Sequence, residues 1–277
     1  MTYAYATTNL LSGLAVGSFG WASGLNDATR SRLNDVRMSS RYVNGSPVTT
    51  VTLIIDLGSA VASTGVAILN SNVATSALAP TLRIRGATNS IFTTGVVTAK
   101  AASTLNTSAP YNKDHVLQYA SITKQYLELL WTFTGTATNF AVGELWAFNA
   151  QTQLTRKSIY GGGEDEEIYS SSVDFYNGGN RSYFLGGPVR TQRLPFSDLS
   201  LTERLELATM WRATRGPVSP FLWIDSYEAT DTAAAATEQS VIYGKLAVPA
   251  FTWKEQDYQL FDPGELIIRS LGREVGS

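Results

Sequence analysis

His115 is the only histidine in the chain, and there is no cysteine at all. A Ser-His-Asp triad needs an imidazole beside its nucleophile, so His115 would have to supply it. It ends the polar stretch Pro110-Tyr111-Asn112-Lys113-Asp114-His115, which holds no nucleophile motif, and it reads as a loop histidine. Without cysteine, disulfides, thiolate catalysis and Cys-ligated zinc are excluded, and only an all-oxygen calcium site stays chemically open. The run Glu164-Asp165-Glu166-Glu167 would be the place for the paired carboxylates of glycoside hydrolysis. Adjacent acids beside Gly161-Gly162-Gly163 read instead as solvated charge on a flexible joint. That glycine run has neither the spacing nor the strand–helix setting of a dinucleotide fingerprint, and no GxxxxGK[ST] loop occurs. The expectation is a protein that is not an enzyme, with no catalytic residues, no metal and no cofactor.

The aromatic residues offer a different chemistry. Trp21, Trp131, Trp146, Trp211, Trp223 and Trp253 are the six tryptophans, each able to stack on a sugar or anchor an interface. Trp131 and Trp146 fall within strand-like segments and Trp211 on a helical face, which points to core packing. Trp21 lies in a Gly/Ser-rich stretch and its role is open. Arg30, Arg32, Arg37 and Arg41 form a local basic cluster without interleaved aromatics, which reads as a solvated face or a subunit contact. With a net charge of −2 the chain has no basic field to gather nucleic acid, and no specific nucleic-acid partner is expected.

The elements that would position these residues are mostly strands. The 277 residues are enough for two domains, 44% of them are hydrophobic and only 16% are charged. Val48–Leu57 is β-branched and partly alternating, with Gly58 expected to stop it. Val66–Leu69 follows, then the period-2 stretch Thr81-Leu82-Arg83-Ile84-Arg85, a strand around Tyr126–Trp131, and a last one over Phe140–Phe148. Beyond residue 165, strands are expected at Ile168–Tyr176, Ser182–Leu194, Phe221–Asp225, Val241–Val248, Phe251–Tyr258 and Glu265–Leu271. They surround a single helix. Ser200-Leu201-Thr202-Glu203 is a capping box, Leu201, Leu205, Ala208 and Trp211 share its expected apolar face, and Gly216-Pro217 ends it. The fold class is therefore mainly β. It comprises an N-terminal jelly-roll β-sandwich (1–150), a Gly/acidic linker (151–165) and a C-terminal α+β sandwich or split barrel with one amphipathic helix (166–277). Residues 1–150 carry 9 basic and 6 acidic side chains and the remainder 12 and 17, so the two parts differ in charge as +3 and −5.

Two resemblances rest on quoted residues. Trp21-Ala22-Ser23, Val51-Thr52-Leu53-Ile54-Ile55-Asp56-Leu57-Gly58-Ser59, Thr81–Gly86, Tyr126-Leu127-Glu128-Leu129 and Val142-Gly143-Glu144-Leu145-Trp146 make residues 9–148 resemble a discoidin-type (factor 5/8 C-type) jelly roll. Such domains often bind glycans or lipid head groups through loops at one end. The resemblance puts ligand loops at Trp21–Asn26, Asn70–Ser76 and Tyr111–Asp114, with Trp21, Asn26, Asn70, Asn72 and Tyr111 as the residues in question. The order of strands, the helix ending in Arg212-Ala213-Thr214-Arg215-Gly216, the strand Pro220–Asp225 and the closing pair Phe251–Lys254 and Leu266–Ile268 make residues 160–277 similar to ring-forming distal-tail domains of tailed bacteriophages.

Together these imply a virion structural protein of the tail tip or baseplate, made in the host cytoplasm. It would self-associate in a ring of three- or six-fold symmetry and contact other tail proteins. Leu201, Leu205, Trp211, Trp223 and Trp253 are the expected assembly interface. The alternative is a carbohydrate-binding adhesion module that takes host-surface glycans; a hydrolase ranks last. No apolar run approaches the roughly 20 residues of a membrane helix, and Met1-Thr2-Tyr3-Ala4-Tyr5 has no basic leader, so no membrane partner is expected.

Overall fold

Alternation of apolar and polar residues builds most of the molecule. The computed structural model describes residues 3–21, 30–35, 42–43, 47–72, 80–105, 114–138, 140–155, 163–167, 170–174, 180–184, 189–224, 241–247, 254–257, 260–262 and 264–271. The chain divides into two units, one of Thr8–Gln151 with Glu228–Val241, the other of Met1–Thr7, Thr152–Tyr227 and Ile242–Ser277. The opening residues thus go with the second unit, not with the 1–150 segment expected from sequence.

The first unit is organised by two long strands, β4 (Val48–Leu69) and β7 (His115–Ala137), paired antiparallel. β2 (Phe19–Trp21) pairs on the other side of β4, and β5 (Thr81–Ala87) and β6 (Val97–Thr104) continue the sheet beyond β7, in the order β2-β4-β7-β5-β6. β3 (Tyr42–Val43) pairs β8 (Ala141–Val142), and β9 (Glu144–Phe148) pairs the far half of β4 at Gly65–Leu69. Gly58 does not end the strand as expected. At φ +78° it forms an irregularity where the β4–β7 register shifts between Asp56 and Val61, its N–H donating to Asp56 Oδ1 at 2.8 Å. A glycine bulge bends a strand without terminating it. Both halves of β4 then face one core, Val51, Leu53 and Ile55 before the bend and Val66 and Ile68 after it, with Leu117, Leu129, Trp131 and Leu145. This is an antiparallel β-sandwich. Trp131 and Trp146 are buried, as core packing requires.

The second unit has a seven-stranded sheet in the order β10-β1-β15-β16-β19-β14-β11. Its strands are β1 (Ala4–Ala6), β10 (Thr152–Gln153), β11 (Gly163–Glu167), β14 (Val189–Phe196), β15 (Phe221–Ile224), β16 (Val241–Leu246) and β19 (Gly264–Ser270). β12–β13 (Ser170–Asp174, Asn180–Phe184) and β17–β18 (Lys254–Asp257, Leu260–Asp262) form two separate antiparallel hairpins. Within the segment expected as a linker, 151–165, lie β10 and part of β11. The acidic run is the edge strand β11, with Glu166 opposite Arg190 and Asp165 opposite Thr191. An edge strand needs only backbone pairing on one side, and charge there protects it from further strand addition.

One helix, α1 (Leu201–Ala213), shares a core with this sheet. The capping box forms: Ser200 Oγ accepts from the Glu203 N–H at 3.4 Å and Glu203 Oε2 accepts from the Ser200 N–H at 2.8 Å. Gly216 is left-handed at φ +60° and its N–H donates to the Trp211 carbonyl, closing the helix as expected. The apolar face is not the expected one. Leu207 and Met210 are buried and Trp211 packs at their edge, whereas Leu201 and Leu205 are half exposed. Two competing i, i+3/i+4 stripes exist on this helix, and the sheet core selects the one running through Leu207, Met210 and Thr214.

Candidate functional site

Of the expected ligand-loop residues, Asn70 and Asn72 make hydrogen bonds within the fold. Asn70, buried and left-handed at φ +51°, donates its N–H to Asp114 Oδ1 at 2.8 Å. Asn72 Oδ1 accepts from the Ala141 N–H at 2.9 Å, tying the end of β4 to β8. Trp21 is the last residue of β2, opposite Leu53. Asn26, Tyr111 and Trp253 lie outside the described residues. His115 is not in a loop: it is the buried first residue of β7, opposite Ile68. Among the expected interface residues, Trp223 is corrected to core, fully buried and stacked on Tyr3 with ring centroids 5.1 Å apart. It belongs to the four-residue strand β15, every residue of which is buried, so neither side of it is free. Trp211 is half-buried against the same core, and only Leu201 and Leu205 remain on the surface. Of the basic cluster, Arg30 Nη1 donates to the Phe19 carbonyl at 3.1 Å, and Arg37 and Arg41 lie outside the described residues.

The structure assembles a different group. Residues that alternate away from the core on β4, β7 and β5 meet on the outer face of the sheet, because the register sets Thr52 and Arg83 across from Leu130, and Ile54 and Arg85 across from Glu128. These residues, with Ser90, Ile91 and Phe92 from the β5–β6 loop, line an open cleft of about 530 Å³. Glu128 lies on the central strand with only 6% of its side chain exposed, so its charge must be matched there. Arg85 does this with two bonds, Nε to Oε1 at 2.8 Å and Nη2 to Oε2 at 2.5 Å. Those hydrogen bonds, ahead of the opposing burial, raise the Arg85 pKa above its already high value. Arg83 gives the carboxylate a single bond, Nη2 to Oε1 at 3.2 Å, and its Nε–H has no partner among the described residues.

The loop over this face is held by one side chain. Asn89 Oδ1 accepts from the N–H groups of Thr93 and Thr94 at 3.1 and 3.2 Å, while Nδ2 donates to Thr93 Oγ1 at 2.8 Å. Thr88 closes the base of the loop with two bonds to the Thr94 carbonyl. Phe92 is thereby kept at φ +53°, a conformation an aromatic residue rarely adopts, with the Arg85 guanidinium 5.4 Å from its ring centroid. Strain of this kind, of order 1–3 kcal/mol, persists only where surrounding bonds enforce it.

Both Glu128 oxygens already accept from guanidinium groups, so the carboxylate is committed to charge pairing and is not a free proton acceptor. What the cleft offers is recognition: aromatic and aliphatic surface beside a guanidinium with spare donors and the hydroxyls of Thr52 and Ser90. Among the described residues no group of three or more His, Cys, Asp or Glu side chains is placed to hold a metal. Sequence reasoning missed this site. The alternation of Thr81–Arg85 put both arginines on one face, but their meeting with Glu128 and Phe92 depends on strand order.

No protein-family model matches the chain, and no curated protein does either. Several solved structures are similar to about half of it. One is chitosan-binding module 1 of a chitosanase/glucanase from Paenibacillus sp. IK-5, at 17% identity over 51% of this chain and 98% of that one, with a TM-score of 0.39. Another is CpGH89CBM32-5 from Clostridium perfringens, solved with GalNAc-β-1,3-galactose, at 11% identity over 48% and 96%, TM-score 0.38. A third is the CBM32 of AlyQ in complex with 4,5-unsaturated mannuronic acid, at 16% identity over 48% and 94%, TM-score 0.37.

Proposed function

We propose that the first unit is a carbohydrate-binding module, discoidin-like in type, which attaches its chain to glycans through the outer-face cleft. The observation that carries this reading is Phe92, held in a left-handed backbone with the Arg85 guanidinium 5.4 Å from its ring, in a cleft that Arg83, Thr52 and Ser90 also line. A sugar ring presents an apolar C–H face and a rim of hydroxyls, and this combination of surfaces is its complement. The test is a glycan array probed with the folded chain and with Phe92→Ala. Binding by the native chain that drops at least tenfold in the variant supports the reading, and a folded native chain that binds no glycan overturns it.

Placement in a tailed-phage virion, as a tail-tip or baseplate component with the second unit assembling into a ring, is a second reading. Leu201 and Leu205, half exposed on α1, are the apolar surface such self-association would use. Light scattering with negative-stain microscopy tests it: a discrete oligomer that Leu201→Glu/Leu205→Glu dissolves supports it, and a strict monomer at high concentration counts against it.

A further inference from the structure

Resting on the carbohydrate reading, we infer that the cleft selects acidic sugars, its ligand docking a carboxylate on the free edge of Arg83. Two guanidinium groups face one carboxylate, which leaves the cleft with an excess of positive charge. Arg85 bonds Glu128 on both oxygens, and Arg83 adds a single bond to Oε1 at 3.2 Å. Arg83 has a third of its side chain exposed, and its guanidinium makes one bond to Glu128 among the described residues. A guanidinium presents its donors in a planar fork that fits a carboxylate in two parallel bonds, a match no neutral hydroxyl provides.

The surrounding surface decides which kind of anion fits. Ile91, 73% exposed, Phe92 and Leu130 line the same cleft, so a ligand must offer an apolar face next to its charge. A uronate ring does so, with its carboxylate on the carbon adjoining the ring. A nucleic-acid backbone does not suit a cleft lined by two arginines and a glutamate on a chain of net charge −2, since such binding draws on several phosphate contacts.

The experiment uses the full chain on an array of matched pairs, tetragalacturonate and tetramannuronate beside their methyl esters, with neutral glycans, followed by calorimetry on the pairs. The acids should bind at least tenfold more tightly than the esters. Arg83→Met should lower acid binding to the level of the ester, and Arg83→Lys should recover only part of it, because the charge returns without the fork. Arg85 still holds Glu128 in both variants, so the fold survives. Equal affinity for acid and ester, or acid binding unchanged by Arg83→Met, overturns the inference. Hits on neutral glycans alone overturn it while leaving carbohydrate binding in place; no hit by a folded chain overturns both.

Discussion

The two faces of one sheet differ more than the two units do. On the inner face of β4, β5 and β7, Val51, Leu53, Ile55, Leu82, Ile84, Leu127, Leu129 and Trp131 are all buried in a single apolar core. On the outer face, one residue along in every strand, stand Thr52, Ile54, Arg83, Arg85, Glu128 and Leu130. Because side chains alternate, a one-residue slip would carry two arginines and a glutamate into the core. The inner face thus supplies the burial energy, and the outer face adds a penalty for wrong pairing. Arg85 opposite Glu128 is the feature that couples them. Stability lies on one face and recognition on the other, so substitutions should separate the two.

The largest effect is expected inside. Trp131 is fully buried with its ring 5.3 Å from Phe140, and Trp131→Ala should cost about 3–5 kcal/mol in chemical denaturation. At the far half of β4, Gly65 faces the Phe148 ring so closely that a β-carbon would sit 2.2 Å from Cζ. Gly65→Ala should cost about 1–3 kcal/mol by overpacking, read as a lowered denaturation midpoint. A substitution on the outer face probes the coupling between the faces. Glu128→Ala leaves two guanidinium groups without their counter-ion, and about 1–3 kcal/mol should be lost. That is below the cost for a fully buried pair, since both arginines keep a quarter to a third of their exposure. If Glu128→Ala is silent in denaturation, the outer network does not hold register and the contrast between faces loses its structural half.

The inner face was legible in the sequence and the outer one was not. β-branched alternation in Val48–Leu57 and Thr81–Arg85 marks inward residues without any tertiary knowledge, and the capping box at Ser200 marks a helix start in the same local way. Glu128 is different. Its partners are more than forty residues away, and only the pairing β4-β7-β5 brings them together. The acidic run at Glu164–Glu167 shows the same limit from the other side. Its composition says linker, yet β14 offers it an edge to pair with. The helix face failed for a third reason. Leu201 and Leu205 have the right spacing, but a sheet chooses which stripe it covers, and it covers Leu207 and Met210.

A polar pair in the far half of the β4–β7 ribbon sharpens the contrast, since there polar groups pack without charge, Ser63 fully buried and Tyr119 partly so. Tyr119 and the fully buried Ser63 share a hydrogen bond with their oxygens 2.6 Å apart. Burial, offset in part by that bond, pushes the Tyr119 phenol up to about 12 from its usual 10. Raising the pKa favours the neutral phenol in the folded state, so this contribution is complete below pH 10. It declines as pH rises from 10 towards 12, where the unfolded chain ionises first. Tyr119→Phe removes the titrating group. Between pH 8 and pH 11 the native chain should therefore lose about 1 kcal/mol more than the variant, in paired denaturation series at the two pH values. Equal losses would mean that the phenolate is solvated as well as in the unfolded chain, placing Tyr119 with the solvated chemistry of the outer face and not with the uncharged far half of the ribbon.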